Sequence, residues 1–237
     1  MSVFLSGLGA LLIYFVIAAS TALLCRRAFV IPDELFRKIL HCILLGSLIV
    51  FVFCYPVWWH SALSALGFAV VVYPFLAVAE RIPGFSRFTT ERKKGELKAS
   101  LLLVFSMFAL VIAICWGWLG DRWLVLTSIY AWGFGDAAAA LVGKRWGRHK
   151  IHLGHADNHK SLEGSAAMFV TSLVSVALLL VLRGGLNVAG YVIVPVVTAL
   201  VSTIAELYSK GGYDTVVCPL SAMVVLLPMI HIFGGLS

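Results

Sequence analysis

Long apolar runs separated by short polar ones set the pattern of this chain. Eight runs stand out: Val3–Leu24, Ile39–Phe53, Val57–Ala79, Ala99–Leu119, Trp123–Val142, Leu162–Leu182, Val188–Leu207 and Val216–Phe233. A helix needs about 20 residues to cross the hydrocarbon of a bilayer. The second run is short for that, so its helix is expected to begin in the polar stretch Asp33–Lys38. Backbone N–H and C=O groups cannot stay unpaired in lipid, which leaves helices or a closed barrel. Continuous apolar runs without alternation exclude the barrel. The pattern therefore predicts an all-α, polytopic transmembrane bundle of about eight helices, forming a single integral-membrane domain over residues 1–237.

Composition agrees. Of 237 residues, 61% are hydrophobic and only 12% charged, with a mean hydropathy of +1.00. Soluble domains carry roughly 25% charge. The charges that remain are distributed unevenly. Arg26, Arg27, Arg37 and Lys38 follow the first run; Arg81, Arg87, Arg92, Lys93, Lys94 and Lys98 follow the third; Lys144, Arg145, Arg148, Lys150 and Lys160 follow the fifth; Lys210 follows the seventh. Only Arg122 and Arg183 fall on the other side. The positive-inside rule places the basic side in the cytoplasm and both termini outside it. The expected location is a bacterial-type inner membrane with the working face toward the cytoplasm. The net charge of +7 is thus explained by orientation, anionic lipid headgroups or a phosphorylated ligand, and not by nucleic acid. No basic residue precedes Arg26, so the first run does not read as a cleavable signal peptide. The five cysteines (Cys25, Cys42, Cys54, Cys115 and Cys218) include no CxxC, and are expected to be small buried hydrophobes. The sequence carries no signal for an oligomeric state.

Four polar clusters interrupt the apolar pattern. In Pro32–His41, Pro32 suits a first helical position and Asp33 and Glu34 suit the helix dipole. Asp33 with Arg37, Glu34 with Lys38, and Arg37 with His41 are each four apart and share a face. An ion-paired turn and a phosphate clamp both remain open there. In Trp132–Arg148, Asp136 lies inside an apolar run, where a carboxylate costs about 3 kcal/mol on insertion scales. Asp136, Ala140 and Gly143 share a face on which small residues admit another helix or a diphosphate. Lys144 and Arg145 stand just beyond. The stretch His159–Ser165 opens the sixth run, where a helix N-terminus, Lys160 and Ser161 favour an anion. His149, His152, His155 and His159 nearby fit no compact zinc site and have no thiolate partner. Finally, Glu206 and Asp214 belong to the same leaflet as Asp136 and Glu163. Carboxylates inside a basic rim suit phosphoryl transfer with Mg²⁺, which takes one or two carboxylates with phosphate oxygens and waters. The Walker A pattern does not occur.

In order and spacing these pieces resemble the CTP-dependent lipid kinases, the family of dolichol kinase, phytol kinase and CTP-dependent diacylglycerol kinase, distantly related to phosphatidate cytidylyltransferase. Arg37-Lys38-x2-His41 is similar to that family's RKxxH element, and Arg92-x2-Gly95-Glu96-Leu97 to its RxxGE loop. Gly135-Asp136-Ala137-x-Ala139 with Gly143-Lys144-Arg145-x-Gly147 looks like its GDAxA…GxxxG core. Lys160-Ser161-x-Glu163-Gly164-Ser165 matches KSxEGS, the most specific piece. Glu206 with Asp214 resembles its last E…DN…P element, although Thr215 stands where Asn is usual and Cys218 where Val is usual before the proline. The resemblance covers about residues 33–220.

The resemblance implies transfer of the γ-phosphate of CTP to the hydroxyl of a lipid alcohol (a polyprenol, phytol or diacylglycerol) drawn laterally from the bilayer. It implies Asp136, Lys160, Glu163 and Asp214 as catalytic residues and Asp136, Glu206 and Asp214 as holders of Mg²⁺. It implies Arg37, Lys38, His41, Gly135, Gly143, Lys144, Arg145, Ser161 and Gly164 as the nucleotide-binding set. Three other readings stand beside it: cytidylyl transfer to a lipid phosphate, a transporter with intramembrane carboxylates, and a non-catalytic membrane scaffold.

Overall fold

The computed structural model describes residues 2–79, 81, 95–151, 160–209 and 212–234. Among the described residues there are eight α-helices: α1 Ser2–Ala28, α2 Asp33–Phe53, α3 Trp58–Ala79, α4 Glu96–Val111, α5 Arg122–Trp146, α6 Leu162–Arg183, α7 Val188–Tyr208 and α8 Asp214–Ile232. The last turns of α4 widen into a π-helix over Ile112–Trp118. Each of the eight is long and apolar enough to cross a membrane. Among the described residues there is no strand, only an isolated antiparallel bridge between Lys150 and Ser161.

The helices match the predicted runs, with differences at the ends. Helix α2 starts at Asp33, so the polar stretch is helical as expected, but Pro32 is its N-cap with an extended ψ of 142° and not its first helical residue. Helix α5 continues to Trp146, four residues past the expected Val142, so Lys144 and Arg145 lie on its last turn, where cations suit the dipole. The cysteines divide: Cys115 and Cys218 are buried, but Cys25, Cys42 and Cys54 are exposed. In lipid a small apolar side chain needs no burial, so the expectation that all five are buried is corrected.

By packing, the chain forms two compact units, Met1–Gly120 and Asp121–Ser237. The first holds α1–α4 around an aromatic core in which Phe51, Phe105 and Phe108 meet edge to face, worth roughly 0.5–1.5 kcal/mol per pair beyond burial.

The second unit is organised by α5, which packs against α6, α7 and α8. Its polarity runs inside out. On α6 the exposed residues include Val170, Val174, Leu178 and Val181, while Gly164, Ser165 and Ser172 are buried together with Met168, Val176, Leu179 and Leu180. Lipid solvates large apolar groups, so the small and polar residues are left for helix contact. Gly135, Ala139, Gly143 and Gly147 recur every four residues and face α6. A Cβ on Gly135 would lie 2.6 Å from Ser172 Oγ; one on Gly164 would lie 3.0 Å from the Ala139 carbonyl oxygen and 3.3 Å from Gly143 Cα.

Capping fixes the ends. Asp121 Oδ1 accepts from the N–H of Trp123 (2.9 Å) and Leu124 (3.3 Å), starting α5. Its Oδ2 takes Arg183 Nε at 2.5 Å, tying that start to the end of α6. Asn187 caps α7 through the N–H of Gly190 at 2.8 Å. Gly184 and Gly185, at φ 76° and 83°, end α6 in a conformation that glycine adopts without strain. Asp121, Arg183 and Asn187 therefore share one end of the unit. The end of α5, the start of α6, the end of α7 and the start of α8 form the other.

Candidate active site

Ser161 begins α6, its Oγ accepting from the N–H of Gly164 at 3.2 Å. Lys160, one residue earlier, is thereby held beside the end of α7. Its ammonium lies 3.1 Å from Glu206 Oε1 and also donates to the carbonyl oxygens of Glu206 and of Ser209, the latter at 3.0 Å. An ammonium has three N–H donors, and here three oxygens face it. The two side chains are only 15% and 13% exposed. The last carbonyls of a helix lack intrahelical partners and carry the negative end of its dipole. Lys160 answers both, pinning the start of α6 to the end of α7.

The other acids gather at the same place. Asp136 and Asp214 lie close enough for their charges to act on the Glu206 carboxylate. Cys218, one turn into α8, feels Asp214, Glu206 and Asp136 as well. Lys160, Asp136, Glu206 and Asp214 are thus brought together from four separate parts of the chain. Lys144, Arg145 and Arg148, all exposed, stand at the end of α5 on the same end of the unit.

Other predicted residues have different surroundings. Glu163 is turned to the strand-like segment after α5: its carboxylate accepts from the His149 backbone N–H at 3.2 Å and lies 2.7 Å from His149 Nδ1. That segment pairs with the start of α6 through Ile151 N–H to the Lys160 carbonyl (3.0 Å) and Leu162 N–H to the His149 carbonyl (2.9 Å). Gly135, Gly143 and Gly164 serve the contact between α5 and α6. Of the helix or diphosphate that the small residues would admit, a helix lies against Gly143. In the first unit, Arg37 pairs with Glu34 at 2.5 Å and Asp33 with Arg26 at 3.0 Å. Lys38 is buried and His41 half-buried. Arg92 of the RxxGE loop, with Lys93, Lys94, His152, His155, His159 and Lys210, lies outside the described residues.

Among the described residues no group of three or more His, Cys, Asp or Glu side chains is placed to hold a metal ion. A hard cation such as Mg²⁺ needs only one or two carboxylates, the rest coming from phosphate and water. The carboxylate oxygens of Asp136, Glu206 and Asp214 are donors of the kind such an ion takes.

Sequence reading passed over a set of hydroxyls. Ser128 on α5 and Thr198 and Ser202 on α7 are fully buried with no hydrogen-bond partner. Thr127 and Thr203 bond the carbonyls of Trp123 and Ala199 four residues back, each at 2.8 Å; these three do not. The signal was present: Thr198, Ser202 and Glu206 are four apart, and Ser128 and Asp136 eight apart, inside apolar runs. They form polar lines leading inward from the two acids.

Two curated proteins are similar over most of the chain. A phytol kinase of Synechocystis sp. is 30% identical over 219 residues, covering 86% of this chain and 83% of that protein. A probable chloroplastic phytol kinase of Triticum aestivum is 29% identical over 232 residues, covering 90% and 72%. No family model and no solved structure matches the chain.

Proposed function

The chain belongs to the phytol kinase family of lipid alcohol kinases, and on that premise we propose that it transfers the γ-phosphate of CTP to the hydroxyl of an isoprenoid alcohol such as phytol. The observation that carries the reading is the meeting of Asp136, Lys160, Glu206 and Asp214 at one end of the second unit, beside the exposed Lys144, Arg145 and Arg148.

Each group has work in such a reaction. The alcohol oxygen attacks the γ-phosphorus, the bond from that phosphorus to the β–γ bridging oxygen breaks with its electrons leaving on CDP, and the hydroxyl proton passes to a carboxylate. Asp136, Asp214 and Glu206, whose charges act on one another, are the candidates for that acceptor. Lys144, Arg145 and Arg148 draw the triphosphate to the site and offset its charge, the main lever in phosphoryl transfer. Mg²⁺, held by one or two of Asp136, Glu206 and Asp214, would supply charge neutralisation at the phosphate oxygens. Lys160 acts as a positioning residue that fixes Glu206 and the end of α7. The hydrophobic alcohol reaches the site sideways from the bilayer, so its hydroxyl needs to travel no further than the headgroup level.

The test uses purified protein in detergent with Mg²⁺, phytol and CTP labelled on either the α- or the γ-phosphate, with farnesol, polyprenols and diacylglycerol alongside. The expected result is γ label in the lipid product, lost with a chelator and restored by Mg²⁺. Transfer of the α label would make the chain a cytidylyltransferase. No transfer to any alcohol would end the proposal.

A further inference from the structure

A groove of about 600 Å³ lies between α7 and α8, and at one end it reaches Ser209, whose carbonyl accepts from Lys160 of the candidate active site. One wall is Val201, Ile204, Ala205 and Tyr208, which share a face of α7 at three- and four-residue spacing. The other is Tyr213, Val217 and Ser221, one turn apart on α8. The groove therefore follows the two helices for about two turns, roughly 10 Å at 1.5 Å per residue. It ends at Ser209, the residue whose carbonyl takes Lys160 and whose hydroxyl donates to the Ala205 carbonyl at 2.6 Å. Tyr208 and Tyr213, 58% and 70% exposed, flank that end, as amphipathic rings do where hydrocarbon meets headgroup. Small-molecule sites span about 300–1,000 Å³ and are mostly apolar with a few polar groups at one point; this groove has that layout.

We propose that the α7–α8 groove is the subsite for the alkyl chain of the lipid alcohol, seating the part nearest the hydroxyl and leaving the tail in the bilayer. This rests on the kinase reading for the identity of its occupant. The direction follows from the layout: a chain lying along the walls leaves a terminal hydroxyl at Ser209, beside the Glu206–Lys160 pair. Selectivity then resides in branching and saturation close to the hydroxyl, because a groove of two turns ends before a long tail does. Ile204 and Val217, 45% and 42% exposed, face each other's helix across it and set its width.

Photolabelling tests this without turnover. The full-length protein in nanodiscs is labelled with a phytol analogue carrying a diazirine near its hydroxyl, with no nucleotide present, and the adducts are mapped by mass spectrometry. Label is expected on α7 and α8 within residues 201–221, competed by phytol and not by excess phosphatidylglycerol. Val217→Trp and, independently, Ile204→Trp are expected to reduce it several-fold in samples that keep their melting temperature. Val192→Trp, at an exposed position on the opposite face of α7, is expected to leave it unchanged. Label elsewhere, equal competition by phosphatidylglycerol, or labelling indifferent to both groove variants would overturn the proposal. Because labelling needs no CTP, a chain that binds the probe in the groove but transfers no phosphate would overturn the kinase reading alone.

Discussion

Lys160→Met separates two roles that lysine could have at this site. The ammonium holds Glu206 Oε1 at 3.1 Å and the carbonyls of Glu206 and Ser209. Its removal leaves a carboxylate that is 13% exposed beside the end of a helix dipole of the same sign. Breaking a buried pair on one side costs about 3–5 kcal/mol, and the residual exposure of both partners points to the lower end, about 3 kcal/mol. For a chain of this size one kcal/mol shifts the melting temperature by about 2–4 °C, so a fall of roughly 6–12 °C in detergent is expected. Glu206→Gln in the Lys160→Met background removes the stranded charge and should recover about a third of the loss, roughly 1 kcal/mol. Only the shared carbonyls would then remain without their donor, at about 1 kcal/mol each. The assay is thermal unfolding of the four proteins of the double-mutant cycle, with phosphoryl transfer measured in parallel. If Lys160→Met keeps the wild-type melting temperature and loses transfer, the ammonium serves the phosphates and not the fold, and the positioning argument is wrong.

Four further outcomes follow from the geometry. Asp136→Asn is expected to lower phosphoryl transfer by about 100-fold or more with little change in melting temperature; equal loss of both would make it a structural residue. Gly164→Val should cost about 1–3 kcal/mol by overpacking, because a Cβ there would meet the Ala139 carbonyl oxygen, a backbone atom, at 3.0 Å; an unchanged melting curve would contradict the close crossing of α5 and α6. Arg183→Met strands Asp121, 13% exposed, at about 3 kcal/mol, and transfer rates on surviving folded protein should match wild type, since that pair sits at the opposite end of the unit. Thr198→Val should be neutral or stabilising if its buried hydroxyl meets nothing; a loss of transfer without loss of stability would instead assign the hydroxyl to a ligand.

Hydrophobicity and charge along the chain were enough for the helices. Each span from the fourth to the eighth starts within three residues of its expected position, because lipid forces any long apolar run to satisfy its own backbone. The family's acids and lysine were also legible, since an ionisable group in an apolar run is costly enough to need a purpose. The partners of those groups were not. Periodicity paired Asp33 with Arg37, whereas the fold gives Asp33 to Arg26 and Arg37 to Glu34. The spacing also grouped Asp136 with Gly143, although Gly143 lies against α6 with Gly135 and Ala139.

The sequence alone determined which runs form helices long and apolar enough to cross a membrane, and which of their ends carry the charge. These follow from local chemistry, read a few residues at a time. Tertiary structure decided that Lys160 spends its three donors on the end of α7 and that Glu163 turns to His149. It also decided that the glycines of the core motif carry a helix crossing, and that an apolar groove ends at Ser209. Hydrogen bonds and grooves depend on which helices lie side by side at distances of a few ångströms. No spacing within one helix encodes its neighbour.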